Sequence, residues 1–117
     1  MRFLVSMVVD EASRQDATPE EMKEMGAKMM QFMGELRESG ALLDPGAKLA
    51  PSATAKTLRY GEDGKQVVTD GPFAESKEQV AGYMVLECDD LEQAVGWVQK
   101  MPVSGGTIEV RPIAERA

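Results

Sequence analysis

The sequence predicts an α+β fold, an antiparallel sheet with two helices packed on one face. Three observations carry the prediction. Two helical patterns, each opening on a capping residue, alternate with strand-like runs. An Asp63-Gly64 turn between two short β-type runs marks a hairpin in the middle of the chain. The first run, Arg2 to Val9, is largely apolar on both faces, with Phe3, Val5, Met7 and Val9 on one and Leu4, Ser6 and Val8 on the other. That pattern suits a central strand covered on both sides.

Asp10 to Ala17 reads as a polar connection, after which Thr18-Pro19-Glu20-Glu21 opens a helix. Thr18 can cap, Pro19 suits the first helical position, and Glu21 completes a capping box. Met22, Met25, Met29, Phe32 or Met33, and Leu36 recur at helical spacing and predict an inward face over residues 19–39, closed by Gly40. A run of thioethers also suits an adaptable binding groove, but core packing is the favoured reading.

Ala41 to Leu49 is a short strand broken by a bulge or turn at Asp44-Pro45-Gly46, and Pro51-Ser52-Ala53 is a loop. Lys56–Tyr60 and Lys65–Thr69 are the arms of the hairpin. Val80 to Cys88 is a long strand, with Gly82, Met84, Leu86 and Cys88 on one face and Ala81, Tyr83, Val85 and Glu87 on the other. Asp89 or Asp90 caps a second helix whose inner side carries Leu91, Ala94 or Val95, Val98 and Met101, and Pro102 ends it. Ser104-Gly105-Gly106 leads to a last strand, Thr107 to Pro112, with Ile108 and Val110 inward and Glu109 and Arg111 opposite. The tail from Ala114 is expected to fray.

This order is the split β-α-β, ferredoxin-like pattern with an inserted hairpin. Two helices cover one face of such a sheet. The other face still carries apolar groups from the first strand and from Tyr83 and Val85, so a homodimer packing sheet against sheet is expected.

Composition narrows the function. The 117 residues suit one domain spanning 1–117, burying roughly two-thirds of the unfolded surface. A net charge of −7 and the lack of basic clusters argue against a nucleic-acid surface. There is no histidine, which removes the commonest general base and metal ligand. One cysteine forms no internal disulfide, and no apolar run approaches ~20 residues. The first residues already read as a strand rather than a leader, so a cytoplasmic address is the expectation. No cofactor-binding, phosphate-binding or nucleophile-elbow motif is present, and no metal site is expected.

The least periodic stretch is Asp70-Gly71-Pro72-Phe73-Ala74-Glu75-Ser76-Lys77-Glu78. Gly71 and Pro72 make a stiff turn, with Asp70 at its head and Phe73 as its one large apolar group. With Val68-Thr69 before it, Gly82-Tyr83 after it and Ile108 to Pro112 at the end, this stretch resembles the signature of the DGPF domain, grouped with the YCII-related family. The resemblance covers essentially the whole chain and implies a fold of the dimeric α+β barrel kind. YCII-related proteins are suspected enzymes marked by a His and an Asp. Asp70 is the position carried over, and the missing His bars transfer of a His–Asp mechanism. Some DGPF domains neighbour or are joined to sigma factors of the extracytoplasmic-function type, which implies an alternative, non-enzymatic role through a protein partner.

Asp70 is therefore the candidate catalytic or ligand-orienting carboxylate, and a cleft lined by Phe73 and Tyr83 would suit it for acid–base work. The competing reading is an Asx-turn in which Asp70 accepts from its own loop's amides. Phe73, Tyr83 and Arg111 are the candidate ligand-binding residues. Arg111 can clamp an anion, pair with Asp70 or form a structural ion pair elsewhere. Tyr83 can donate a phenol proton or pack at an interface. Lys77 and Glu78 read as a solvated face, Glu87, Asp89 and Asp90 as capping residues rather than a metal cluster, and Cys88 as an inert core thiol.

Overall fold

The computed structural model describes residues 1–13, 17–74, 76–103 and 105–115. Arg14 to Asp16 of the expected polar connection, Glu75 of the signature stretch, Ser104 of the glycine loop and the last two tail residues lie outside the described residues. The elements run β1 (Arg2–Asp10), α1 (Pro19–Ser39), β2 (Leu42–Lys48), β3 (Lys56–Tyr60), β4 (Gln66–Asp70), β5 (Glu78–Glu87), α2 (Leu91–Gln99) and β6 (Thr107–Pro112). Short 3-10 turns at Glu11–Ser13 and Ser52–Thr54 join them. The main sheet is antiparallel, four-stranded, in the order β2-β5-β1-β6, and β3-β4 forms a separate two-stranded sheet. This is the ferredoxin-like α+β arrangement that the sequence predicts.

The local signals explain the boundaries. Thr18 Oγ1 accepts from the Glu21 N–H at 3.1 Å, so one half of the expected capping box forms. Gly40, at φ +82°, closes α1 with its N–H on the Arg37 carbonyl. Asp90, not Asp89, caps α2 by accepting from Gln93 N–H at 2.8 Å, and the Gln93 amide oxygen accepts from Asp89 N–H. The register of β2 on β5 shifts at Asp44 and again before Ala47, as the Asp44-Pro45-Gly46 interruption predicts. Gly46 has φ +68°, and a Cβ there would lie 1.8 Å from the Tyr83 carbonyl oxygen, so only glycine lets the two backbones approach.

The core lies between the sheet and the helices. Phe3, Val5, Met84 and Leu86 meet Phe32 and Leu36 of α1 and Ala94 of α2. Cys88 continues the inward row of β5 and is buried. Burial raises its thiol pKa above the ordinary value, and the neighbouring Asp89 adds to this.

Two expectations about the helices need correction. The inward stripe of α1 is buried only in its second half. Met29 and Met33 pack against the core, whereas Met22 is 63 % and Met25 37 % exposed. On α2 the buried residue is Ala94. Val98 packs against the core and Met101 is buried just past the helix, as expected, but Leu91 is exposed and Trp97 also packs against the core, with Lys100 Nζ 5.0 Å from its ring centre. In both cases periodicity marked a face without showing how far the sheet extends beneath it.

The second face of the sheet is open. Leu4, Ser6 and Val8 stand beside Val85, Tyr83 and Val80 on one side. On the other they meet Arg111, Glu109 and Thr107. Its β1 and β5 members other than Val80 are half-buried. The molecule is a slab of 50 × 46 × 17 Å with a radius of gyration of 16.8 Å.

Candidate functional site

The signature loop is tied down from both ends. On the hairpin side, Thr57 Oγ1 donates to the Gly71 carbonyl at 2.8 Å and Arg59 Nη2 to the Phe73 carbonyl at 2.5 Å. Gly71 N–H extends the hairpin ladder onto Ala55 O at 2.7 Å, and φ +94° at Gly71 then turns the chain. On the sheet side, Gln79 Nε2 donates to the carbonyls of Ala74 and Ser76 at 3.0 and 3.1 Å. Lys77 Nζ lies 3.8 Å from Asp10 Oδ2 at the end of β1. These bonds give an irregular, mostly exposed loop a defined path, which propensity alone does not supply.

Between the loop, the end of β1 and the 52–54 turn lies an open depression of about 560 Å³. Asp10, Glu11, Ser52, Asp70, Lys77 and Gln79 are among its lining residues. Glu11 holds the turn in place: one carboxylate oxygen accepts from Ser52 N–H at 3.0 Å and the other from the Ser52 hydroxyl. Glu11 and Gln79 also line a smaller cavity of about 210 Å³ with Val9, Leu49, Pro51 and Val80. The two cavities thus share one carboxylate and one amide in their walls.

Asp70 ends β4 and lines the depression. Its carboxylate is bonded to Lys56 Nζ at 2.5 Å across the hairpin, not to its own turn's amides. The Asx-turn reading therefore gives way to a cross-strand ion pair, because the hairpin register places Lys56 directly opposite Asp70. Within one chain nothing buries this group: its side chain is 84 % exposed.

Phe73 lies in the same loop, but its ring is 74 % exposed and does not line the depression. Tyr83 and Arg111 lie elsewhere, on the open face of the sheet. Tyr83 is opposite Ser6, and Arg111 is opposite Leu4, on the other side of β1. Arg111 Nη2 pairs with Glu109 Oε1 of its own strand at 2.6 Å. One chain thus brings Asp70 and Phe73 into one loop, brings Tyr83 and Arg111 onto one face, and keeps the two pairs apart. Among the described residues, no group of three or more Cys, Asp or Glu side chains is arranged to hold a metal ion.

Sequence reasoning missed Lys56, Glu11 and Ser52. Lys56 meets Asp70 because the observed register pairs Tyr60 with Gln66, whereas the arms read from sequence, Lys56–Tyr60 and Lys65–Thr69, set position 56 against position 69. The Glu11–Ser52 contact links groups 41 residues apart and has no local signal.

The model of the YCII-related domain matches residues 1–116. An uncharacterised protein of Rhizobium meliloti (strain 1021) is 36 % identical over 96 residues, covering 80 % of this chain and 73 % of that protein. No helix among the described residues is long and apolar enough to cross a membrane.

Proposed function

The chain belongs to the YCII-related family, and we propose that it binds a small polar molecule in the depression beside the 70–77 loop, with Asp70 orienting the ligand. The observation that carries this reading is convergence. Polar side chains from the end of β1, the 52–54 turn, the signature loop and the start of β5 meet around one space of about 560 Å³. That volume suits a metabolite. The Lys56 ammonium holds the Asp70 carboxylate at the wall and leaves its second oxygen for a ligand's hydroxyl or amine.

A second copy covering the open sheet face is part of the proposal. Leu4, Val8, Tyr83 and Val85 give that face its apolar character, and the charged residues Glu109 and Arg111 neutralise each other. A chain of net charge −7 thus presents a locally neutral surface to its own copy.

The test of the site is a thermal-shift screen against a metabolite library, run on wild type and Asp70→Asn together. Saturation at ~100 times the dissociation constant adds about 2.7 kcal/mol to the native state. A stabilising compound whose effect is lost in Asp70→Asn supports the site. Hits that stabilise both proteins equally, or no hit at all, would remove Asp70 from ligand binding.

A further inference from the structure

The hairpin is the part of this molecule that one chain does not account for. A compact chain of this length has a radius of gyration of ~13 Å, against the 16.8 Å observed. Every residue of β4 is exposed, and in β3 only Thr57 is half-buried. A two-stranded hairpin with no sheet or helix against it is marginal in water.

Its two faces differ. Alternation along the strands puts Thr57, Arg59, Val67 and Thr69 on one side. Thr57 and Arg59 hold the 71–73 segment across that side. The other side carries Lys56 and Asp70, then Leu58 opposite Val68, then Tyr60 opposite Gln66. Leu58 is 48 %, Val68 56 % and Tyr60 70 % exposed. Among the described residues no element covers this apolar row, and the Asp70–Lys56 pair sits at its end.

We propose that the hairpin is an arm that lays its Leu58–Tyr60–Val68 side across the open sheet face of a second copy, so that Asp70 works at the interface and its site is incomplete in one chain. This rests on the sheet-face dimer and on the Asp70 reading above. Three features favour a second copy as occupant. The row and the open face are both apolar. Each is flanked by a charge pair neutralised within its own chain, Lys56–Asp70 in one and Glu109–Arg111 in the other, so the −7 charge does not oppose the contact. The radius of gyration of 16.8 Å, against the ~13 Å of a compact chain, sets the hairpin away from its own core, where a two-fold axis can exchange it with a neighbour's. The arrangement also brings Asp70, on the row side of the arm, toward the receiving face that carries Tyr83 and Arg111, while Phe73 stays on the arm's other side.

Sedimentation equilibrium of wild type, Leu58→Asp/Val68→Asp and Tyr83→Asp is the test. The hairpin positions are already solvated in the single chain, so the added charges leave the far-UV circular dichroism unchanged. The expected result is a wild-type dimer and a dissociation constant raised at least tenfold in both variants. A double variant that dimerises like wild type overturns the arm and leaves the sheet-face dimer standing. A wild-type monomer overturns both. Cross-linking fixes the address: a short bismaleimide joins a Leu58→Cys chain to a Tyr83→Cys chain, in excess over either variant alone, while the buried Cys88 does not compete. No such excess overturns the receiving face. The ligand screen with Asp70→Asn is scored separately, so failure of the arm and failure of the site are distinguishable.

Discussion

The four-stranded sheet and the hairpin are both antiparallel, yet they are held by different forces. In the sheet, Phe3, Val5 and Leu86 are fully buried, and the hydrophobic effect acts through the inward rows of β1 and β5. In the hairpin, the comparable row is Leu58, Val68 and Tyr60, 48–70 % exposed, and order comes from a ladder, one ion pair and two side chains that grip the following loop. A β pattern in sequence therefore states a conformation. Whether that conformation stores stability depends on what lies against it. Here the stability lies in the sheet and the unsatisfied surface lies in the arm, next to the carboxylate proposed to work.

Breaking the sheet side gives the largest effect. Leu86→Ala removes a fully buried side chain at the centre of the core and should cost about 2–5 kcal/mol, read as a lower urea midpoint with an unchanged slope. A loss under ~1 kcal/mol would mean that the core tolerates a void. Gly46→Ala adds a methyl against the Tyr83 carbonyl at a positive φ, and should cost at least about 2 kcal/mol in the same assay.

The Cys88 thiol sharpens the comparison through pH. Burial favours its neutral form, so its folded pKa lies above the unfolded one. The neutral thiol's contribution is fully present below the unfolded pKa and is lost as pH rises through the folded pKa. Native protein at pH 8 should react slowly with a thiol reagent and at full rate in denaturant. Equal rates would show the sheet opening at this position. The smallest effect belongs to the arm. Asp70→Asn breaks an exposed ion pair and should shift stability by no more than about 0.5 kcal/mol in a ligand-free melt. A larger loss would give Asp70 a structural role and weaken its use as a functional group.

Much of this molecule was written locally. Thr18 and Asp90 at the helix starts, Gly40 at a helix end, Asp63-Gly64 in the hairpin and the two-residue alternation of β1 and β5 are decided by neighbours within a few residues, and they determine the order of elements and the ferredoxin-like topology. The hairpin itself was legible, but the register that pairs Lys56 with Asp70 was not. What the tertiary structure alone decided is where each face ends. The Met stripe of α1 is buried only in its second half, so Met22 is left in solvent; Leu91 is exposed while Trp97 packs against the core; and Glu11 meets Ser52 across 41 residues. Periodicity repeats along one element and carries no length for its neighbour. Burial needs two surfaces at once, and only the folded arrangement sets where both are present.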